Sequence, residues 1–88
     1  MEFIVLGKFR KKPTKATPAE ADKWMAKMKK EGVEFAAMYW TLGRYDTVAI
    51  VKAKDEKAAM KALLGMGDIL ATETLVAVPR ATAIKWLD

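Results

Sequence analysis

Five residue types are missing from this chain: it has no cysteine, histidine, serine, asparagine or glutamine. Without cysteine there is no disulfide framework and no thiolate nucleophile. Without histidine the commonest general base and the commonest metal ligand are both excluded. Threonine and tyrosine are the only hydroxyl side chains left. Asp46, Asp55, Glu56, Asp68 and Glu73 show no metal-ligand spacing, so neither a metal site nor a cofactor is expected. Low Asn, Gln and Cys with abundant Lys is the composition of a heat-adapted protein, although six methionines pull the other way. No apolar run approaches the ~20 residues that cross a bilayer. The run Phe3-Ile4-Val5-Leu6, preceded by Glu2, is too short for a signal peptide. A cytoplasmic protein is expected.

What is present is globular. Hydrophobic residues make up 52% of the 88 and charged ones 31%, well away from the disordered class. One domain of this size buries roughly 60–65% of the surface its unfolded chain exposes, so pairing with another copy would add to a thin margin. The net charge of +5 is uneven: residues 1–44 carry ten Lys/Arg against five acids, and residues 45–88 carry six against six. Such a patch attracts nucleic acid or anionic lipid, but a solvated loop and a solvated helix face explain it as well.

Taken in order, residues 2–10 read as a strand whose continuous apolar run suits the centre of a sheet. Gly7 inside it marks a bulge or a close approach. Thr17-Pro18-Ala19-Glu20 reads as a capping box with Pro18 in the first turn. Ala21, Trp24, Met25 and Met28 then fall on one helix face, and Gly32 ends the helix. Strands are expected over 33–42 and 45–53. A second helix follows, capped by Asp55 and inward-facing at Ala59, Ala62, Leu63 and Met66. A fourth strand covers 71–78, and Pro79 stops it. The domain thus spans 1–79, with 80–88 as a short helical extension that docks on the body or on a partner.

The stretch 39–51 organises the rest. A two-residue type II′ turn at Gly43-Arg44 pairs Leu42 with Tyr45, Thr41 with Asp46, Trp40 with Thr47 and Tyr39 with Val48. Paired residues share a face. One face then shows Met38, Trp40, Leu42, Tyr45, Thr47, Ala49 and Val51. The other shows Phe35, Tyr39, Thr41, Asp46, Val48 and Ile50. Neither is polar, so something must cover both. The order β-α-β-β-α-β is the ferredoxin-like split βαβ unit: α+β, a four-stranded antiparallel sheet with two helices on one face. The apolar open face calls for a homodimer or higher homo-oligomer, a dimeric α/β barrel. Met38, Trp40, Leu42 and Val51 are the interface candidates, and Trp40 is expected to be buried.

The ten residues Tyr39-Trp-Thr-Leu-Gly-Arg-Tyr-Asp-Thr-Val48 resemble the GYD domain family, named for a Gly-x-Tyr-Asp-like turn between its middle strands. Phe3–Phe9 and Ile69–Leu75 are similar to its first and last strands, so the resemblance covers about residues 2–79. It implies a small ferredoxin-like protein of the dimeric α/β-barrel type and brings no agreed reaction. Related barrels include cofactor-independent monooxygenases and small-ligand binders, a fold-level analogy. Barrel enzymes that rely on histidine lend nothing to a chain without one.

Tyr39, Thr41, Arg44, Tyr45 and Asp46 are the candidate ligand-binding residues. A carboxylate beside a phenol can orient a ligand, or act as a base if burial raises its pKa. Asp46 bonding to the turn backbone or to Arg44 is the structural alternative. Glu73 faces either a barrel pocket or a sheet edge that it protects. Three readings follow: an oligomeric module that binds a small ligand in a pocket between helices and sheet or acts through its assembly, a cofactor-free monooxygenase-like enzyme, and a basic nucleic-acid module. The last is disfavoured, because strand three carries Val48, Ala49 and Ile50 where an RNA-recognition sheet carries stacking rings.

Overall fold

The apolar run Phe3-Ile4-Val5-Leu6 lies at the centre of the sheet. In the computed structural model, which describes residues 1–87, it belongs to β1 (Glu2–Phe9). There follow α1 (Ala16–Lys30), β2 (Glu34–Trp40), β3 (Thr47–Lys52), α2 (Glu56–Leu64) and β4 (Leu70–Ala77). A one-turn helix α3 (Arg80–Ala83) and a 3-10 turn (Ile84–Trp86) end the described chain. The sheet is antiparallel with strand order β2-β3-β1-β4. This is the ferredoxin-like arrangement, with the two most apolar strands inside.

Registers fix the faces. Phe3 pairs with Val51 and Val76, and Val5 pairs with Ala49 and Thr74. Phe3, Val5, Ala49 and Val51 are buried with Met28 of α1 and Ala59, Ala62 and Leu63 of α2, so both helices lie on that side. Trp24 is half-buried and packs against the core on the side its helical spacing implies: its ring meets Phe35 edge-on at 5.4 Å, and the end of α2 crosses close beside it at Gly65.

The helix ends follow local chemistry. Asp55 caps α2, accepting from the Ala58 N–H at 2.9 Å. At the end of α1, Val33 N–H bonds to Met28 C=O and Gly32 N–H to Lys29 C=O, which is the Schellman pattern. The start of α1 differs from expectation, because the helix begins before Thr17. Thr17 Oγ1 accepts from Thr14 N–H at 2.9 Å, and Thr14 Oγ1 accepts from Ala16 N–H at 3.3 Å. The reciprocal cap is therefore Thr14 with Thr17, three residues upstream of the expected box, and Glu20 takes no part in it. Pro18 has no N–H to offer the Thr14 carbonyl, which accepts from Thr17 N–H at 3.1 Å instead.

The hairpin differs as well. Trp40 pairs with Thr47 and Tyr39 with Val48, as expected. The last cross-strand bond runs from Thr41 N–H to Asp46 C=O at 2.8 Å, leaving a four-residue loop, Leu42 to Tyr45, in place of the two-residue turn. Gly43 still has the positive φ, +105°. The reason lies in β1: Asp46 N–H donates to Gly7 C=O at 2.8 Å, so Asp46 extends the β1–β3 pairing. At the other end, an irregularity between Phe35 and Ala37 shifts the register. It turns Phe35 onto the helix-covered face, opposite to the face that alternation assigns.

The second face of the sheet carries Ile4, Leu6, Val48, Ile50 and Leu75. The first four are half-buried and Leu75 is 44% exposed. The shortest dimension of the molecule is 17 Å, room for one sheet layer and one helix layer and no third. The longest is 49 Å, well beyond the ~27 Å of an eight-residue strand. None of the residues of α3 or the 3-10 turn is buried. Among the described residues no helix is long and apolar enough to cross a membrane.

Candidate functional site

Four of the five residues proposed to bind a ligand form a clasp at the hairpin loop, two of them by bonding to backbone. Asp46 Oδ2 accepts from Phe9 N–H at 2.8 Å, thirty-seven residues earlier, so its carboxylate replaces a ladder carbonyl. Thr41 Oγ1 donates to Tyr45 C=O at 2.6 Å and closes the loop on itself. Tyr45 then crosses to the open face and donates its hydroxyl to Glu73 Oε2 at 2.5 Å. That is the opposite face from the one a two-residue turn would give it. The Arg44 guanidinium sits 5.7 Å from the Tyr45 ring centroid, in cation–π range. Tyr39, paired with Val48, stands on the open face of the edge strand β2 and is exposed.

The electrostatics fit the clasp. The hydrogen bond to Glu73 raises the Tyr45 pKa above the ordinary value of 10.0; desolvation and the Glu73 charge add to this, and Arg44 opposes it. A phenol held protonated beside a carboxylate is a poor base near neutral pH. The structure gathers Thr41, Arg44, Tyr45 and Asp46 in one loop with Glu73, but it brings neither Tyr39 nor a free carboxylate into a common cavity. Among the described residues no three acidic groups gather closely enough to hold a metal ion.

The interface candidates separate in a similar way. Val51 is 0% exposed, so it has no surface to offer a second chain. Met38 and Trp40 share the helix-covered face with it, and Met38 packs against the core. Trp40 is not buried, against expectation: it is 57% exposed at the end of edge strand β2. Its ring meets Phe9 edge-on at 5.3 Å. Leu42 is fully exposed in the loop.

A different place has the form of a ligand site. A cavity of about 330 Å³ lies between the start of α1 and the helix-covered face of the sheet, walled by Phe9, Met25, Met38, Trp40 and Met66. Thr47 lines it from central strand β3 and is the buried polar residue among the described ones, at 4% exposure. Gly7, its partner on β1, makes the room. A Cβ on Gly7 would collide with Thr47 Oγ1. The sequence marks Gly7 as a close approach but not what it approaches. A threonine at an inward position of a central apolar strand is the further available signal.

A family model described as the GYD domain matches residues 3–87. Among solved structures the chain is similar to TTHA0845 from Thermus thermophilus. The two are 24% identical over 90% of this chain and 98% of that one, with a TM-score of 0.53. At that identity the likeness speaks for the fold. No curated protein matches.

Proposed function

The chain belongs to the GYD domain family, and from that premise we propose that it is a small homo-oligomeric module that binds a small, mostly apolar molecule. Two copies pack their open sheet faces together as an α/β barrel, and each holds its ligand in the cavity beneath α1. The observation that carries this reading is the cavity itself: three thioethers and two aromatic rings, with Thr47 on the sheet side and Thr17 and Asp22 on the α1 side as its few polar groups. Methionines adapt to the shape of what they enclose, and a few polar groups fix the orientation of a mostly apolar guest. The apolar open face supports the pairing.

The enzyme reading needs Asp46 as a free carboxylate near Tyr39, and Asp46 is committed to the Phe9 N–H. The nucleic-acid reading gains nothing from an open face that presents Val48 and Ile50. The test is a fluorescence titration with 8-anilinonaphthalene-1-sulfonate against the parent and Ala21→Phe, which adds a ring to the wall. Saturable binding that weakens tenfold or more in Ala21→Phe is expected. Equal binding in both would place the dye on another surface and end the cavity assignment.

A further inference from the structure

The cavity beneath α1 carries one charged side chain on its lining, and that charge is negative. It is Asp22; among the described residues no lysine or arginine lines this cavity, in a chain that holds 16 Lys/Arg and a net charge of +5. Asp22 finds no cation on its own helix. Pro18, Ala19, Met25 and Ala26 occupy the positions three and four residues away, from which a helical side chain would reach it. Lys23, next in sequence, stands about 100° further round the helix. Asp22 is exposed as well as lining the cavity, and so is Trp40, so both stand at its mouth. Inside, the chemistry has the same sign. A thioether sulfur accepts and never donates, and the face of an aromatic ring is electronegative.

We propose that the guest is an organic ammonium ion: its apolar body lies among Met25, Met38 and Met66, and its charged head stays at the mouth beside Asp22 and Trp40. This rests on the cavity reading above and names the charge of the molecule it holds. The mouth is where such a head belongs, because taking a full charge into the apolar interior costs far more than thioethers return. There the head keeps part of its water and still gains from a carboxylate and an indole ring. An anion would meet a like charge at Asp22 and no cation on the lining. The volume of about 330 Å³ is at the low end of the about 300–1,000 Å³ of ligand pockets, so the body is small.

The test is calorimetric titration of the full chain with a matched pair of probes, phenylbutylamine, charged at neutral pH, and phenylbutanol. The amine should bind the parent about tenfold more tightly than the alcohol, the combined gain of an ion pair at the mouth and a cation–π contact. Asp22→Asn should bring the amine down to within about twofold of the alcohol. Glu20→Gln, on the same helix but off the lining, should keep the preference. The anionic dye 8-anilinonaphthalene-1-sulfonate should respond in the opposite sense and bind Asp22→Asn more tightly than the parent. An amine that binds the parent no more tightly than the alcohol overturns the proposal. So does a preference that survives Asp22→Asn or disappears in Glu20→Gln. Ala21→Phe judges the cavity separately. If it weakens both probes while the parent does not distinguish them, the cavity stands and the charge of its guest is wrong. If it weakens neither, the cavity assignment falls and this inference falls with it.

Discussion

Asp46 shows how one side chain can substitute for backbone. Its carboxylate accepts the Phe9 N–H that would otherwise face the end of a ladder. Asp46→Ala leaves that donor without its partner and should destabilise the fold by about 1–3 kcal/mol, read from the urea midpoint. Asp46→Asn keeps an amide oxygen in place and should lose less; equal losses would mean that the contact itself is immaterial. Tyr45 gives a spectroscopic check. Its folded pKa is raised, so the stabilisation it contributes is complete below the unfolded value of about 10. It is lost as pH rises through the higher folded value. The 295 nm titration of the parent minus that of Tyr45→Phe should show a phenol ionising above the pH of free tyrosine. Ionisation at or below it would contradict the Glu73 bond. Trp40 is a correction at the same scale. As an exposed ring with one edge-on partner, its replacement by alanine should cost about 1–2 kcal/mol, close to what an aromatic pair contributes. A buried aromatic would cost about 3–5 kcal/mol.

Elements are legible where one local signal decides them. Asp55 before a helical stripe, Gly32 after one, and an apolar run too continuous for an edge strand each point to a single outcome. The Trp40–Thr47 register is legible in the same way. Legibility fails where distant elements intervene. The hairpin loop lengthens because Asp46 turns its N–H to β1, and Tyr45 changes face because Glu73 waits on β4. Neither strand adjoins the loop in sequence. Phe35 lies on the unexpected side because an irregularity near Ala36 breaks the alternation that face-counting assumes. Likewise, the cap of α1 sits upstream because two threonines at the right spacing compete with the Thr-Pro-Ala-Glu signature. The cavity depends on the fit between β1 and β3. Gly7→Ala should therefore destabilise the parent measurably, and much less in a Thr47→Ala background, where the opposing Oγ1 is gone. Additive losses in that double-mutant cycle would show that the two positions do not meet.

At the scale of the molecule, one sheet is covered on a single side. The helices enclose Phe3, Val5, Ala49 and Val51, and the other side presents Ile4, Leu6, Val48, Ile50 and Leu75 to whatever meets it. Two apolar hairpin faces for one layer of helices imply this from the residues alone. They do not say which residues face outward, because that depends on the side the helices take. Met38, Trp40 and Val51 lie on the helix-covered side, so the proposed pairing would rest on Ile50 and Leu75 of the open side instead. The cavity and the open face lie on opposite sides of the same strands, so the ligand and the partner proposed for them would not compete for side chains. Sedimentation equilibrium of the parent beside Leu75→Lys, at micromolar concentration, tests the pairing most directly. The parent should sediment as a dimer or larger and Leu75→Lys should shift toward monomer, with its circular dichroism unchanged. A parent that stays monomeric, or an assembly indifferent to a lysine at position 75, would contradict the open-face pairing.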